Sequence, residues 1–184
     1  MLVEEQREPR SDMVVEIENE QDLALATMRH STAHLMAEAV REIYPDVKFA
    51  IGPAIDNGFY YDMDLDHALT PEDLAEIEVL MARHRDAAEP FVRTEVSREE
   101  ALKIFADNPY KVEILRELPA GSTITTYQQG DFLDLCKGPH VADTGQIGAF
   151  KLQSVAGAYW RGDERRPMLQ RIYGTAWPTQ DELD

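Results

Sequence analysis

The amino-acid sequence predicts an α+β domain with an antiparallel sheet. Three observations point there: a long helical period near the N-terminus, an Asn-Gly hairpin after it, and a second half of short β-rich runs that follows several capped helices. The strands do not alternate with helices as a parallel sheet would require.

Residues 1–21 are charge-rich with scattered Val and Ile and read as an acidic tail or a short leading strand. From about Asp22 to Tyr44, Met28, Leu35, Met36, Ala39, Val40 and Ile43 recur at helical spacing until Pro45 stops the run. His30 and His34 fall roughly opposite that stripe, off the main apolar face. Phe49 to Ile55, the turn Asp56-Asn57-Gly58, and Phe59 to Leu65 form a hairpin, with Asn-Gly supplying positive φ angles. Thr70-Pro71 caps and opens a helix running to about Ala88. Phe91 to Val96 is a strand, Ser97 to Glu100 has capping-box form before a short helix, and Asn108-Pro109 precedes another around Tyr110 to Leu118. Strands over Ser122 to Tyr127, Phe132 to Leu135, Phe150 to Val155 and Met168 to Tyr173 complete the chain. The boundaries are a tail at 1–21, one domain at 22–177, and a C-terminal tail or linker at 178–184.

A chain of 184 residues with 43% hydrophobic content can bury a core of one domain. The apolar runs are too short for a membrane span and the start is too polar for a secretory signal, so cytoplasm is the expected compartment and no membrane partner is expected. The single cysteine, Cys136, is free for chemistry or a metal. A net charge of −17 argues against wrapping a long nucleic-acid duplex. The excess is local, however: residues 1–102 hold 9 basic and 24 acidic residues, whereas residues 103–173 hold 9 and 8. The second half can therefore meet a limited nucleic-acid surface.

The candidate chemistry lies in two short motifs. His30 and His34 stand one helical turn apart and can share a small ligand or metal ion. Ser31 occupies the position where a zinc protease has glutamate. Cys136-Lys137-Gly138-Pro139-His140 adds a soft sulfur and a third imidazole on a stiffened segment. The set His30, His34, Cys136 and His140 can close around zinc or work without metal as an acid–base cluster. Tyr159, Trp160, Tyr173 and Trp177 read as core or strand-face aromatics, and Gly157 and Gly162 as bulge or turn residues. Arg161, Arg165, Arg166 and Arg171 are candidates for phosphate contact, with Arg165 and Arg166, in a polar turn between strands, equally readable as solvated. His67 and His84 have no partners at meaningful spacing and read as surface residues.

Five ordered blocks carry a resemblance: Met28-Arg-His-Ser-Thr-Ala-His34, Gly58-Phe-Tyr-Tyr-Asp62, Asp134-Leu-Cys-Lys-Gly-Pro-His140, Gly157-Ala-Tyr-Trp-Arg-Gly-Asp163 and Leu169-Gln-Arg-Ile-Tyr-Gly-Thr-Ala-Trp177. Together, over roughly residues 25 to 177, the chain resembles the editing domain of bacterial threonyl-tRNA synthetase. The related alanyl editing domain shares the histidine and cysteine motifs but lacks the last two blocks.

The resemblance implies a long central helix carrying the two histidines, clasped by a curved antiparallel sheet with additional short helices, and the cysteine motif facing it across a cleft. It implies hydrolysis of serine from mischarged threonine tRNA, with the aminoacylated 3′ end of that tRNA as partner. His30 and Lys111 would position water or ribose and move protons; His34, Cys136, Asp134 and His140 would shape the pocket; Tyr60 or Tyr61 would contact the terminal adenosine. No cofactor is required for that mechanism, and zinc at His30, His34, Cys136 and His140, as in an alanyl-type editor, is the alternative. A non-catalytic module that binds the aminoacyl-tRNA end is the other. Synthetases of this kind continue into a class II catalytic domain, which would be the partner if the chain is a piece of one. The other arrangement is a free-standing editor acting in trans. In either case the chain alone has no ATP site and should not activate threonine. Gln153-Ser154 departs from the methionine and basic residue of many relatives, which puts one phosphate contact in doubt.

Overall fold

The computed structural model describes residues 17–184, so most of the acidic 1–21 segment lies outside the described residues. Helix α1 (Glu20–Ile43) begins where the Asn19 side chain accepts from the Asp22 N–H, and its acidic first turn and Arg41 in the last turn both favour the helix dipole. Helix α2 (Pro71–Asp86) starts at a Thr70/Asp73 capping box, α3 (Arg98–Ile104) at Ser97, and α4 (Pro109–Glu117) at Asn108, whose side chain accepts from the Tyr110 and Lys111 N–H groups. A last short helix, α5, spans Gln180–Leu183.

The strands form two antiparallel sheets rather than the single curved one expected. Strands β1 (Lys48–Phe49), β2 (Ala54–Ile55), β3 (Gly58–Asp64), β7 (Ala149–Tyr159) and β8 (Met168–Trp177) make one, in the order β1-β3-β8-β7 with β2 also on β3. Strands β4 (Val92–Val96), β5 (Ile124–Gln129) and β6 (Phe132–Leu135) make the other. In the first hairpin Ile55 pairs with Gly58, so Gly58 is already strand and the positive φ of the turn falls on Asn57 alone. The register of β7 on β8 slips between Leu152 and Ser154, which makes Gln153 the extra residue of a bulge.

Helix α1 lies between the sheets, touching β2, β3 and β8 of one and β6 of the other. This overturns the expectation of one apolar and one polar face. From Met28 to Val40 every residue except His30 is buried, and His34 is 2% exposed. Alternation along β3 sends Phe59, Tyr61 and Met63 inward onto Leu35, Met36, Ala39 and Val40, with Leu74, Ile77 and Met81 of α2 closing the same core. Fully burying each of the larger apolar side chains contributes about 1.5–3 kcal/mol.

Tyr60 takes the opposite face of β3, beside Tyr173 and under the Arg171 guanidinium at 3.9 Å. Arg171 faces Asp62 across the β3–β8 pair and holds it through two bonds of 2.6 and 2.9 Å. The other arginines considered for phosphate also meet carboxylates: Arg161 pairs with Glu113 and Glu117, Arg166 with Glu113, and the exposed Arg165 with Asp163. Of the aromatics, Trp160 is core and donates to Glu113 at 2.6 Å, whereas Tyr159 is exposed.

Both histidines read as unpartnered have partners. His67 bonds Asp73 at 2.8 Å and stacks on Tyr44. His84 faces Glu38, Glu42 and Glu89. Glu38 and Glu42 lie on another helix, so no sequence spacing could reveal that contact.

Candidate active site

The cysteine motif follows β6 and returns across α1, which brings Cys136 and His140 to the two helix histidines. Its path depends on Gly138, whose φ of 75° suits glycine and whose missing side chain leaves room for the Tyr127 ring. The Cys136 Sγ lies 3.5 Å from His30 Nε2 and 3.3 Å from His140 Nε2, and accepts from the Gly138 N–H at 3.2 Å. Ring contacts fill the rest: His140 stacks on Phe91 at 4.8 Å and on His30 at 4.4 Å, and meets His34 and Tyr127 edge-on.

Ser31 is the hinge of this arrangement, and sequence reasoning missed it. Its hydroxyl is 2.8 Å from the Thr27 carbonyl, 3.0 Å from the Val141 N–H and 2.9 Å from His140 Nδ1. The carbonyl can only accept, so the single serine proton goes there, and Ser31 Oγ accepts from Val141 N–H and from His140 Nδ1–H. His140 Nε2 is then the basic nitrogen, facing the cysteine thiol.

Beside the imidazoles lies a buried charged network. Asp134 is 2% and Lys111 4% exposed, and Lys111 Nζ donates to Asp134 Oδ1 at 2.9 Å and to the Ala50 carbonyl at 2.7 Å. The Tyr61 hydroxyl donates to Asp134 Oδ2, the Leu135 N–H to Oδ1, and His34 Nε2 stands 3.6 Å from Oδ2. Two of the three ammonium protons of Lys111 have these partners and one is left for a ligand.

Burial sets the protonation of the cluster. It holds His30, His34 and His140 below the usual imidazole value, with the neighbouring imidazoles pushing His34 and His140 the same way, and backbone hydrogen bonding to Pro139 opposing it at His30. It pushes the Cys136 thiol up to about 12. Burial, then the Asp134 carboxylate, also raises Tyr61 well above its ordinary value. Near neutral pH the site therefore holds neutral imidazoles, a thiol and a phenol beside the Lys111–Asp134 contact.

These groups border a cleft of about 640 Å³ whose lining includes Ala26, Thr27, His30, His34, Tyr61, Lys111, Asp134, Cys136 and Lys137. That volume is within the range of small-ligand sites. His140 does not reach the lining and supports His30 and Cys136 from behind. Tyr60 is not brought to the cleft. A second depression of about 510 Å³ between Val96 and Ile124 offers only Arg98 as a charged group, and that guanidinium is engaged with the Leu115, Leu118 and Pro119 carbonyls.

As a metal site, His30, His34, Cys136 and His140 present ligand atoms within 4.8 Å of one another. Zinc bonds of about 2.3 Å to sulfur and about 2.0–2.1 Å to nitrogen put tetrahedral S and N ligands roughly 3.5 Å apart, close to the two Sγ–Nε2 distances. His34 Nδ1 is buried with no hydrogen-bond partner among the described residues. The donor set thus fits zinc, at the cost of deprotonating a thiol that burial keeps protonated.

Residues 124–173 match the second additional domain of threonyl and alanyl tRNA synthetases. Over nearly its whole length the chain is similar to threonine-tRNA ligases. It is 56% identical over 159 residues to that of Rubrobacter xylanophilus, covering 86% of this chain and 25% of the relative. With the ligase of Syntrophomonas wolfei identity is 54% over 90% of this chain and 26% of the relative, and with that of Clostridium tetani 50% over 95% and 29%. The chain belongs to the threonyl-tRNA synthetase editing-domain family, and spans between a quarter and a third of the length of these relatives. No described helix is long and apolar enough to cross a membrane.

Proposed function

We propose that the chain hydrolyses the ester of serine wrongly joined to threonine tRNA. The observation that carries this reading is the Lys111–Asp134–Tyr61 network set beside the neutral His30 at one cleft. Ester hydrolysis needs a base for water, a donor for the developing oxyanion and a proton for the departing ribose oxygen. His30, uncharged and on the cleft wall, takes the water proton as the new C–O bond forms. It returns a proton to the ribose oxygen as the ester C–O bond breaks. The remaining Lys111 N–H stabilises the oxyanion, and Asp134 holds the substrate ammonium. Cys136, backed by His140 and Ser31, closes the pocket around the serine side chain.

Such a second sieve has a physical reason to exist. One methyl group is worth only about 1–3 kcal/mol of discrimination in a binding pocket, too little for accurate selection of threonine over serine. In a single-turnover deacylation assay on seryl-tRNA, His30→Ala should lower the rate by roughly 10²-fold or more, the range of a lost acid–base group. Cys136→Ala and His140→Ala should lower it less. Unchanged rates in all three variants would refute the assignment. The threonine tRNA 3′ end and, in a full-length synthetase, the catalytic domain are the partners this reading implies.

A second reading is favoured by the orphaned His34 Nδ1 and the tetrahedral Sγ–Nε2 spacing: zinc held by His30, His34, Cys136 and His140. Bound there, zinc would supply a Lewis acid and an activated water. Chelator-resistant activity separates the two.

A further inference from the structure

Helix α1 carries a second polar cluster beyond the cleft. His30 and His34 continue at the same spacing as Glu38 and Glu42, and His84 from the last turn of α2 and Glu89 from the loop after it converge on this stripe. We propose that Glu38, His84 and Glu89 form a binding site for a divalent transition-metal ion of the zinc type, separate from the cleft.

The distances are those of ligands around one ion. His84 Nδ1 lies 3.5 Å from Glu38 Oε2 and 3.3 Å from Glu89 Oε1, and one donor atom from each residue falls within 4.8 Å of the others. Zinc–nitrogen and zinc–oxygen bonds of about 2.0–2.2 Å place neighbouring tetrahedral ligands roughly 3.4 Å apart. The histidine is already oriented for the role, because its Nε2 bonds Glu42 Oε2 at 2.7 Å. That bond makes Nε2 a donor and leaves Nδ1, which faces the two carboxylates, as the nitrogen available to an ion. Carboxyl groups and an imidazole facing one another need a proton or a cation between them, and a carboxylate behind a ligating histidine is the usual outer partner of a metal.

A second, independent feature asks for the same ion. Glu38 is 6% exposed, and its Oε1 has no hydrogen-bond partner among the described residues; Glu89 Oε1 likewise lacks a hydrogen bond. Neither carboxylate pairs with a lysine or arginine among the described residues. Burying unpaired carboxylates is strongly unfavourable. Both also lean over Gly130, where a β-carbon would collide with Glu38 Oε2 and Glu89 Oε2, so the backbone there leaves the carboxylates room to converge. An ion at this point would join α1, the end of α2 and the loop leading to β4, which carry three sides of the fold onto the cleft helix.

The alternative arrangement is a proton in place of the ion, shared between the Glu38 and Glu89 carboxyls or held on His84, and the test separates metal from proton. Chelator-treated protein would be titrated with zinc by calorimetry, and the zinc shell read by X-ray absorption on the unmodified chain. The proposal predicts a zinc shell of nitrogen and oxygen only, with a single imidazole, and a rise in Tm on zinc addition. Cys136→Ser should keep that equivalent; Glu89→Gln, a near-isosteric change, should lose it while retaining the metal-free Tm to within a few degrees. No zinc uptake by the unmodified protein would overturn the site in favour of the proton. A shell containing sulfur at about 2.3 Å, abolished by Cys136→Ser, would place the ion in the cleft instead and equally overturn it.

Discussion

One stripe of α1 serves two clusters that burial treats in opposite senses. At the cleft, the low dielectric keeps His30, His34 and His140 neutral, and neutrality gives the basic nitrogens that the proposed ester hydrolysis needs. A turn further on, the same low dielectric surrounds Glu38, whose carboxyl is pushed up to about 9, first by burial and then by Glu89. The first cluster brings proton acceptors and a lysine–aspartate pair to one cleft. The second gathers carboxyls that need a proton or a cation between them. The contrast shows that burial of titratable groups does not by itself mark a catalytic site; the surrounding partners decide whether the neutral form is useful or merely forced.

The largest effect expected from breaking this contrast is on the deacylation rate. Lys111→Met should lower it by roughly 10²–10³-fold, the loss seen when an oxyanion donor is removed, whereas Glu89→Gln, outside the cleft, should leave it within a factor of about two. Comparable losses in both would show that the clusters are not separate. Next in size is stability. Asp134→Ala leaves Lys111 charged and buried without its partner and should cost about 3–5 kcal/mol in denaturant unfolding; a cost below about 1 kcal/mol would mean that the network is solvated.

The pH dependence of stability should carry both signatures in metal-free protein. The cleft imidazoles bind fewer protons folded than unfolded, so their contribution is present above about pH 6.5 and is lost as pH falls below it. Glu38 binds more protons folded than unfolded, so its contribution is present below its ordinary value of 4.5 and is lost as pH rises toward about 9. Because three imidazoles outweigh one carboxyl on the acid side, Tm should peak near neutrality. Glu38→Gln should flatten the alkaline limb and, by removing the opposing carboxyl, steepen the acid limb between about pH 4.5 and 6.5. An alkaline limb unchanged by that substitution would contradict the burial-raised carboxyl. The smallest effect concerns Ser31→Ala, which strands the Val141 N–H and His140 Nδ1–H. It should cost about 1–3 kcal/mol by denaturant unfolding and lower deacylation less than His30→Ala.

Much of this was legible where the determinants are local. Thr70-Pro71, Ser97 and Asn108-Pro109 announce their helices because capping involves residues within one turn, and the helical period of α1 is visible in its own side chains. Pairing between strands distant in sequence is not encoded that way. Local pattern places a strand near each observed one, although the expected run Phe49 to Ile55 is two short strands and β7 and β8 extend past Val155 and Tyr173, and it does not say which strands pair into the two sheets. The same limit hid the burial of His34, which depends on a second sheet covering the polar side of α1, and the cluster at His84. In β3, alternation separates Tyr60 from Tyr61 but does not say which one faces inward; the Phe59, Tyr61 and Met63 contacts with α1 decide it. His30, His34, Lys111, Asp134, Cys136 and His140 were named from motifs and resemblance and are brought together, whereas Ser31, Phe91 and Tyr127, which hold His140 in place, carry no spacing that would single them out.

The most direct test of the proposed function offers seryl-tRNA and threonyl-tRNA, both built on threonine tRNA, to the chain side by side under single-turnover conditions. Rapid loss of serine with threonine spared is the predicted result. Equal hydrolysis of both esters, or of neither, would contradict it.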